Sequence, residues 1–173
     1  MPIRFARLAL ILFVSILPAF AQSPLTLLSR DQASAILPPT VFYRGKSAPI
    51  QGRNSAGIKF LGDRLVLATL VDTSGYSTAV QENYQAYLIT ENPLKIGDQT
   101  LKPGAYGVGM IANNQFIVLD LGAHELFKTA STRDTALPRP NPLQILPDPS
   151  SQGSARLYLG RNYVTLTPDL TGH

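Results

Sequence analysis

The chain has 173 residues, a formal net charge of +4, no cysteine and no tryptophan. Without Cys there are no disulfides, thiolate nucleophiles or thiolate metal ligands. No Lys/Arg block is present, so a nucleic-acid partner has no electrostatic footprint. The length suits one domain able to bury an apolar core.

Residues 1–21 read as a secretory signal. Arg4 and Arg7 form its positive start, Leu8 to Leu17 is an apolar run too short to span a bilayer comfortably, and Ala19-Phe20-Ala21 fits a cleavage site. The mature chain is then expected to begin at Gln22. Losing Arg4 and Arg7 from 15 basic residues, against 11 acidic ones, leaves +2. The expectation is an exported protein, periplasmic or extracellular, with no membrane span after cleavage and no lipid-anchor Cys.

From Gln22 to His173 the pattern is that of a single β-rich domain. "SRDQASAIL" predicts one short helix, capped by Ser29 with Gln32 completing a capping box and stopped by Pro38-Pro39. Strands are predicted at Val41 to Tyr43, Ile58 to Leu61, Leu65 to Val71 and Tyr84 to Thr90. Gly62-Asp63, Gly97-Asp98 and Pro103-Gly104 read as turns. "LVLATLV" is apolar at both alternating sets of positions, which predicts a central strand buried on two sides and argues against a membrane-barrel strand.

In "LKPGAYGVGMIANNQFIVLDLG", a two-residue turn at Asn113-Asn114 would pair Met110 with Ile117, Val108 with Leu119 and Tyr106 with Leu121. Gly107 and Gly109 then share the opposite face, with Asp120 beside Gly107. Glycines there make room for a large side chain from a second layer, or floor a ligand site near Asp120. "LPRPNPLQILPDPSSQGS" carries five prolines between Pro138 and Pro149. It predicts an extended loop to about Gly153, not a ladder strand. Arg156 to Leu159 and Tyr163 to Thr167 form a last hairpin. The fold class expected is all-β, a sandwich or partly open barrel.

Two resemblances follow from these motifs. Residues 89–122, with Gly97, Leu101, Gly104 and Tyr106 as their turn signature, are similar to a family of secreted bacterial β-domains of unknown function. Pro103 stands where that family usually has Ala. This likeness implies export and a sandwich-like fold, and no activity. "VLATLVDTSGYSTAV" resembles the catalytic strand of retropepsin-type aspartic proteases, with "IKFLGDRL" and "LYLGRN" as flanking elements. That resemblance implies Asp72 as acid/base, Thr73 holding the loop across a dimer axis, and a homodimer, since one Asp motif is present. Ser74 stands where the family has Gly.

Asp120, His124 and Glu125 cluster, but adjacent His and Glu point to opposite faces of a strand, and a solvated loop His is the expected reading. No metal site and no cofactor is expected, since no phosphate loop or nucleophile elbow occurs. The functional expectation is a non-enzymatic exported module that binds a protein or a small molecule. A protease acting through Asp72 is the alternative.

Overall fold

The computed structural model describes residues 25–60 and 62–169. The signal reading, the cleavage point, Leu61 and His173 lie outside the described residues. In chain order the elements are β1 (Leu25–Leu28), α1 (Arg30–Ile36), β2 (Thr40–Tyr43), β3 (Lys46–Phe60), β4 (Leu65–Val71), α2 (Thr78–Asn83), β5 (Ala86–Thr90), β6 (Leu94–Ile96), β7 (Gln99–Leu101), β8 (Gly104–Ile111), β9 (Gln115–Leu119), β10 (Glu125–Ala130), β11 (Thr132–Arg133), β12 (Leu143–Pro147), β13 (Ala155–Leu159) and β14 (Asn162–Pro168). They form two sheets. The first runs β1-β3-β4-β5-β8-β9-β10 with β2 added on β3, and the second runs β12-β13-β14-β6-β7 with β11 added on β14.

The inner faces of the two sheets meet in the main core. Val66, Ala68, Leu88, Val108 and Val118 come from the first sheet, and Leu94, Ile96, Leu157 and Leu166 from the second. β10 leads almost directly into β11, which pairs with β14, so the chain crosses between sheets on that side. On the other side the sheets do not close: among the described residues β1 pairs only with β3, and β12 only with β13. The molecule is therefore a mostly-β, two-sheet structure with short helices, not a true barrel. No helix among the described residues is long and apolar enough to cross a membrane.

β4 shows why both of its faces are apolar. Val66 and Ala68 point into the main core, while Leu67 packs outward under Ala33 and Leu37 beside α1. The capping box of α1 is present: the Gln32 amide donates to Ser29 Oγ (3.2 Å) and the Ser29 amide to Gln32 Oε1 (2.8 Å). Ending the helix at Ile36 directs the chain into β2.

Four expectations need correction. The strand placed at Tyr84 begins at Ala86, because Thr78 to Asn83 form a second helix behind Ser77 and Tyr84 closes it. The Pro-rich segment contains a ladder strand, β12, which pairs Leu143 with Leu159 through to Pro147 with Ala155. It is an edge strand, where a missing N–H is tolerated. The turn between β8 and β9 takes three residues, Ala112 to Asn114, with Asn113 and Asn114 at φ 60° and 53°. The register therefore shifts by one: Gly107 faces Leu119, Val108 faces Val118 and Gly109 faces Ile117. A one-residue slip turns every side chain of β9 over, so Ile117 and Leu119 share the glycine face and Asp120 falls in the turn beyond.

Candidate functional site

The outer face of the first sheet carries the second layer that the glycines accommodate. β3 is irregular between Ile50 and Ser55, and its first half, paired with β2, packs over that face with α2. Tyr43 of β2 stacks on Tyr84, with ring centroids 3.8 Å apart and planes 23° apart. Tyr76 stands edge-on to both, at 6.1 Å and 6.2 Å. Such offset and edge contacts suit the ring quadrupoles. The Tyr76 hydroxyl lies 3.1 Å from the Tyr43 carbonyl and 3.2 Å from that of Lys46 and donates its proton between them, tying the β2–β3 hairpin to the chain before α2.

This explains Gly107 and Gly109. A Cβ on Gly107 would come 2.7 Å from Tyr84 Cδ2 and 3.1 Å from Tyr43 Cε2. A Cβ on Gly109 would overlap the Asn83 carbonyl. The tyrosine stack thus rests on bare strand backbone, and the end of α2 rests beside it. Gln85 fastens that end: its Nε2 donates to the Met110 carbonyl (2.9 Å), and its Oε1 accepts from the Met110 amide (3.1 Å). The Tyr84 hydroxyl is buried without a hydrogen-bond partner among the described residues. Burial drives its pKa far above the ordinary phenol value.

Asp120 and His124 lie at one end of this face. The His124 amide donates to Asp120 Oδ1 and the ring Nδ1 lies against Oδ2, both at 2.9 Å. The ring contact, then the amide bond, hold the Asp120 carboxyl below the usual carboxylate range. The His124 side chain is 80% exposed. Glu125 turns away to pair with Lys128 at 2.6 Å. Among the described residues no group of three or more His, Cys, Asp and Glu could hold a metal ion.

Asp72 lies at the end of β4, exposed, with Oδ1 accepting from the Ser74 amide at 3.1 Å. This backbone bond, and then the Ser74 side chain, lower its pKa. Thr73 accepts the Tyr76 amide on its carbonyl, so the Asp-Thr-Ser-Gly turn delivers Tyr76 to the stack.

Between the hairpin turn, α2 and the turn after β9 lies a cleft of about 140 Å³, lined by Tyr43, Arg44, Ala79, Val80, Asn83, Leu119 and Ala123. Arg44 sits at the exposed turn, in the left-handed region at φ 50°, and its amide donates to the Leu121 carbonyl. Its guanidinium makes no ion pair among the described residues. No family model, no curated protein and no solved structure matches this chain.

The structure thus gathers Gly107, Gly109 and the tyrosines on one face, and sets Asp120 at its rim with a His partner. Asp72 and Thr73 serve the turn that feeds it. Tyr43, Arg44, Tyr76, Asn83 and Tyr84 had no place among the sequence candidates. The available signal was the helical spacing in "STAVQENY" behind Ser77, together with three tyrosines in segments flanked by turns.

A second polar group, on the outer face of the second sheet, was also unforeseen. Arg156 Nε donates to Asp148 Oδ1 (3.1 Å), its Nη2 forms an ion pair with the same oxygen at 2.9 Å, and its guanidinium lies 4.4 Å from the Tyr163 ring centroid. Thr165 donates to Asp148 Oδ2 at 3.1 Å, and the Tyr158 hydroxyl to Asp134 at 2.9 Å. Burial pushes the Asp148 carboxyl upward, but the Ser150 amide, Arg156 and Thr165 outweigh it and hold the pKa low.

Proposed function

We propose that this chain is exported and works as a non-enzymatic binding module, with the cleft beside the tyrosine stack as its ligand site. One observation carries the reading: in that cleft a mixed polar and apolar lining that includes Leu119, Val80 and Ala79 lies beside Arg44, which makes no ion pair among the described residues. Ligand sites combine an apolar lining with a few placed polar groups. The export half rests on Arg4, Arg7, the apolar run and Ala19-Phe20-Ala21.

The protease reading has no comparable support, since the Asp72 carboxylate is engaged by its own turn. One experiment tests the proposal. Protein recovered from its native envelope should begin at Gln22 by intact mass. Isotope-labelled protein of that mass, titrated with ring-sized fragments, should show amide shifts clustered at Arg44, Val80, Asn83 and Ala123. Retention of residues 1–21 would end the export half. Shifts elsewhere, or none, would end the binding half.

A further inference from the structure

We infer that the free edge of β1 is a self-association site, where β1 of a second copy of this chain adds antiparallel across a two-fold axis. The inference is independent of the cleft and goes beyond the binding reading above. Leu27 points to it. Cross-strand partners share one face of a sheet. Leu25 and Leu27 stand opposite Phe60 and Ile58, so both face the main core. Yet Leu27 is 42% exposed, while Ile58 beside it is 0% exposed. The core is open along that edge, since among the described residues β1 pairs only with β3. A further strand beside β1 would cover Leu27 and pair the backbone groups that an edge strand leaves unpaired.

The outermost strands differ in protection. β10 carries Glu125, Lys128 and a register shift, β12 carries Pro147, and β7 has three residues set between Asp98 and Lys102. Charges, prolines, irregularities and shortness are what keep sheet edges from pairing. β1 is Leu-Thr-Leu-Leu, with no charge, proline or register shift, and Pro24 before it limits the ladder to the strand itself. That neutrality favours a second copy as the occupant. β1 meets its own copy with no like charges opposed, although the chain as a whole is positive. A two-fold contact also closes on itself. An axis through Leu27 keeps the core-facing leucines of both copies on one side. It sets Leu27 against the partner's Leu27, and Thr26 against the partner's Leu28. So short a contact gives a weak, reversible dimer.

The test is sedimentation velocity on the full chain as its host produces it, over a micromolar to millimolar series. A reversible monomer–dimer equilibrium is expected. Leu27→Lys should weaken it by about tenfold or more, because it opposes two cations and removes the leucine contact. Its thermal midpoint should stay near the parent's, since Leu27 is already part-exposed. Leu126→Lys, at an equally exposed leucine of β10, should leave the dimer intact. The chain has no Cys, so Leu27→Cys reports the register. The two Cα atoms would lie roughly 4.5–5.5 Å apart across an antiparallel pair, within disulfide reach, and mild oxidation should give a covalent dimer. A monomer throughout the series would overturn the inference. So would a dimer that Leu27→Lys does not weaken, which would place the contact on another surface. A Leu27→Cys chain that dimerises without cross-linking would overturn the two-fold register. One copy found joined at β1 to a different polypeptide would overturn the second copy as occupant.

Discussion

On the outer face of the second sheet, Arg156 has an acid, a hydroxyl-bearing neighbour and an aromatic ring around it. On the outer face of the first, Arg44 lines a cleft and makes no ion pair among the described residues. Asp148 and Arg156 are 6% and 15% exposed and bonded to each other. The loop between β12 and β13 folds back on that pair through the Ser150 amide and Ser151. Both charges of that pair have a structural task. Around the tyrosine stack the Tyr84 hydroxyl has no partner and Arg44 makes no ion pair among the described residues. Fully paired polar groups hold a fold together. Unpaired ones beside a partly apolar cleft are where binding energy is still available.

The largest effect expected is at Tyr84. Tyr84→Ala removes a buried ring from the stack and should destabilise by about 3–5 kcal/mol, whereas Tyr84→Phe should leave stability within about 0.5 kcal/mol or raise it, since the hydroxyl has no partner to lose. Urea unfolding of both variants separates ring from hydroxyl. A costly Tyr84→Phe would mean that the hydroxyl is satisfied after all and erase the contrast between the two faces.

Asp148→Ala should cost about 3 kcal/mol, because it strands a half-buried guanidinium. The Asp148 pKa is depressed in the folded state. Its stabilisation is therefore full above the ordinary aspartate value of about 4 and drains away as pH falls through the lower folded value. Unfolding measured across acid pH should show a shallower loss in Asp148→Asn than in the parent. Parallel slopes would remove Asp148 from the stabilising network.

Gly107→Val should cost about 1–3 kcal/mol by overpacking, because the added atoms meet the Tyr84 and Tyr43 rings. A thermal midpoint equal to the parent's would show that the stack does not press on β8, and the cleft would then lose its fixed wall.

Local chemistry made much of this fold legible. The capping box at Ser29 and Gln32, the two-faced apolar run of β4, the Gly62-Asp63 turn and the hairpin around Gly160 all act through neighbours in sequence, and each occurs where local rules put it. The double glycine also signalled that something lies close above β8. The register of β8 and β9 was not legible, because Ala112 joins Asn113 and Asn114 in the turn, and one residue more or less is a small local choice that reverses a whole face. β12 escaped for a similar reason: its prolines forbid a central strand, and only the assembled sheet puts it at an edge.

The sequence by itself determined that this chain builds a β-rich core from alternating apolar residues, breaks at its Gly, Asn and Pro turns, and has no thiol chemistry. Tertiary structure alone decided which polar groups meet. Tyr43, Tyr76 and Tyr84 come from three segments, and Asp148 finds Arg156 across a loop. Partnership of that kind depends on through-space distance, so whether a charge ends in an ion pair, as Arg156 does, or makes none among the described residues, as Arg44 does, is settled only when the sheets pack.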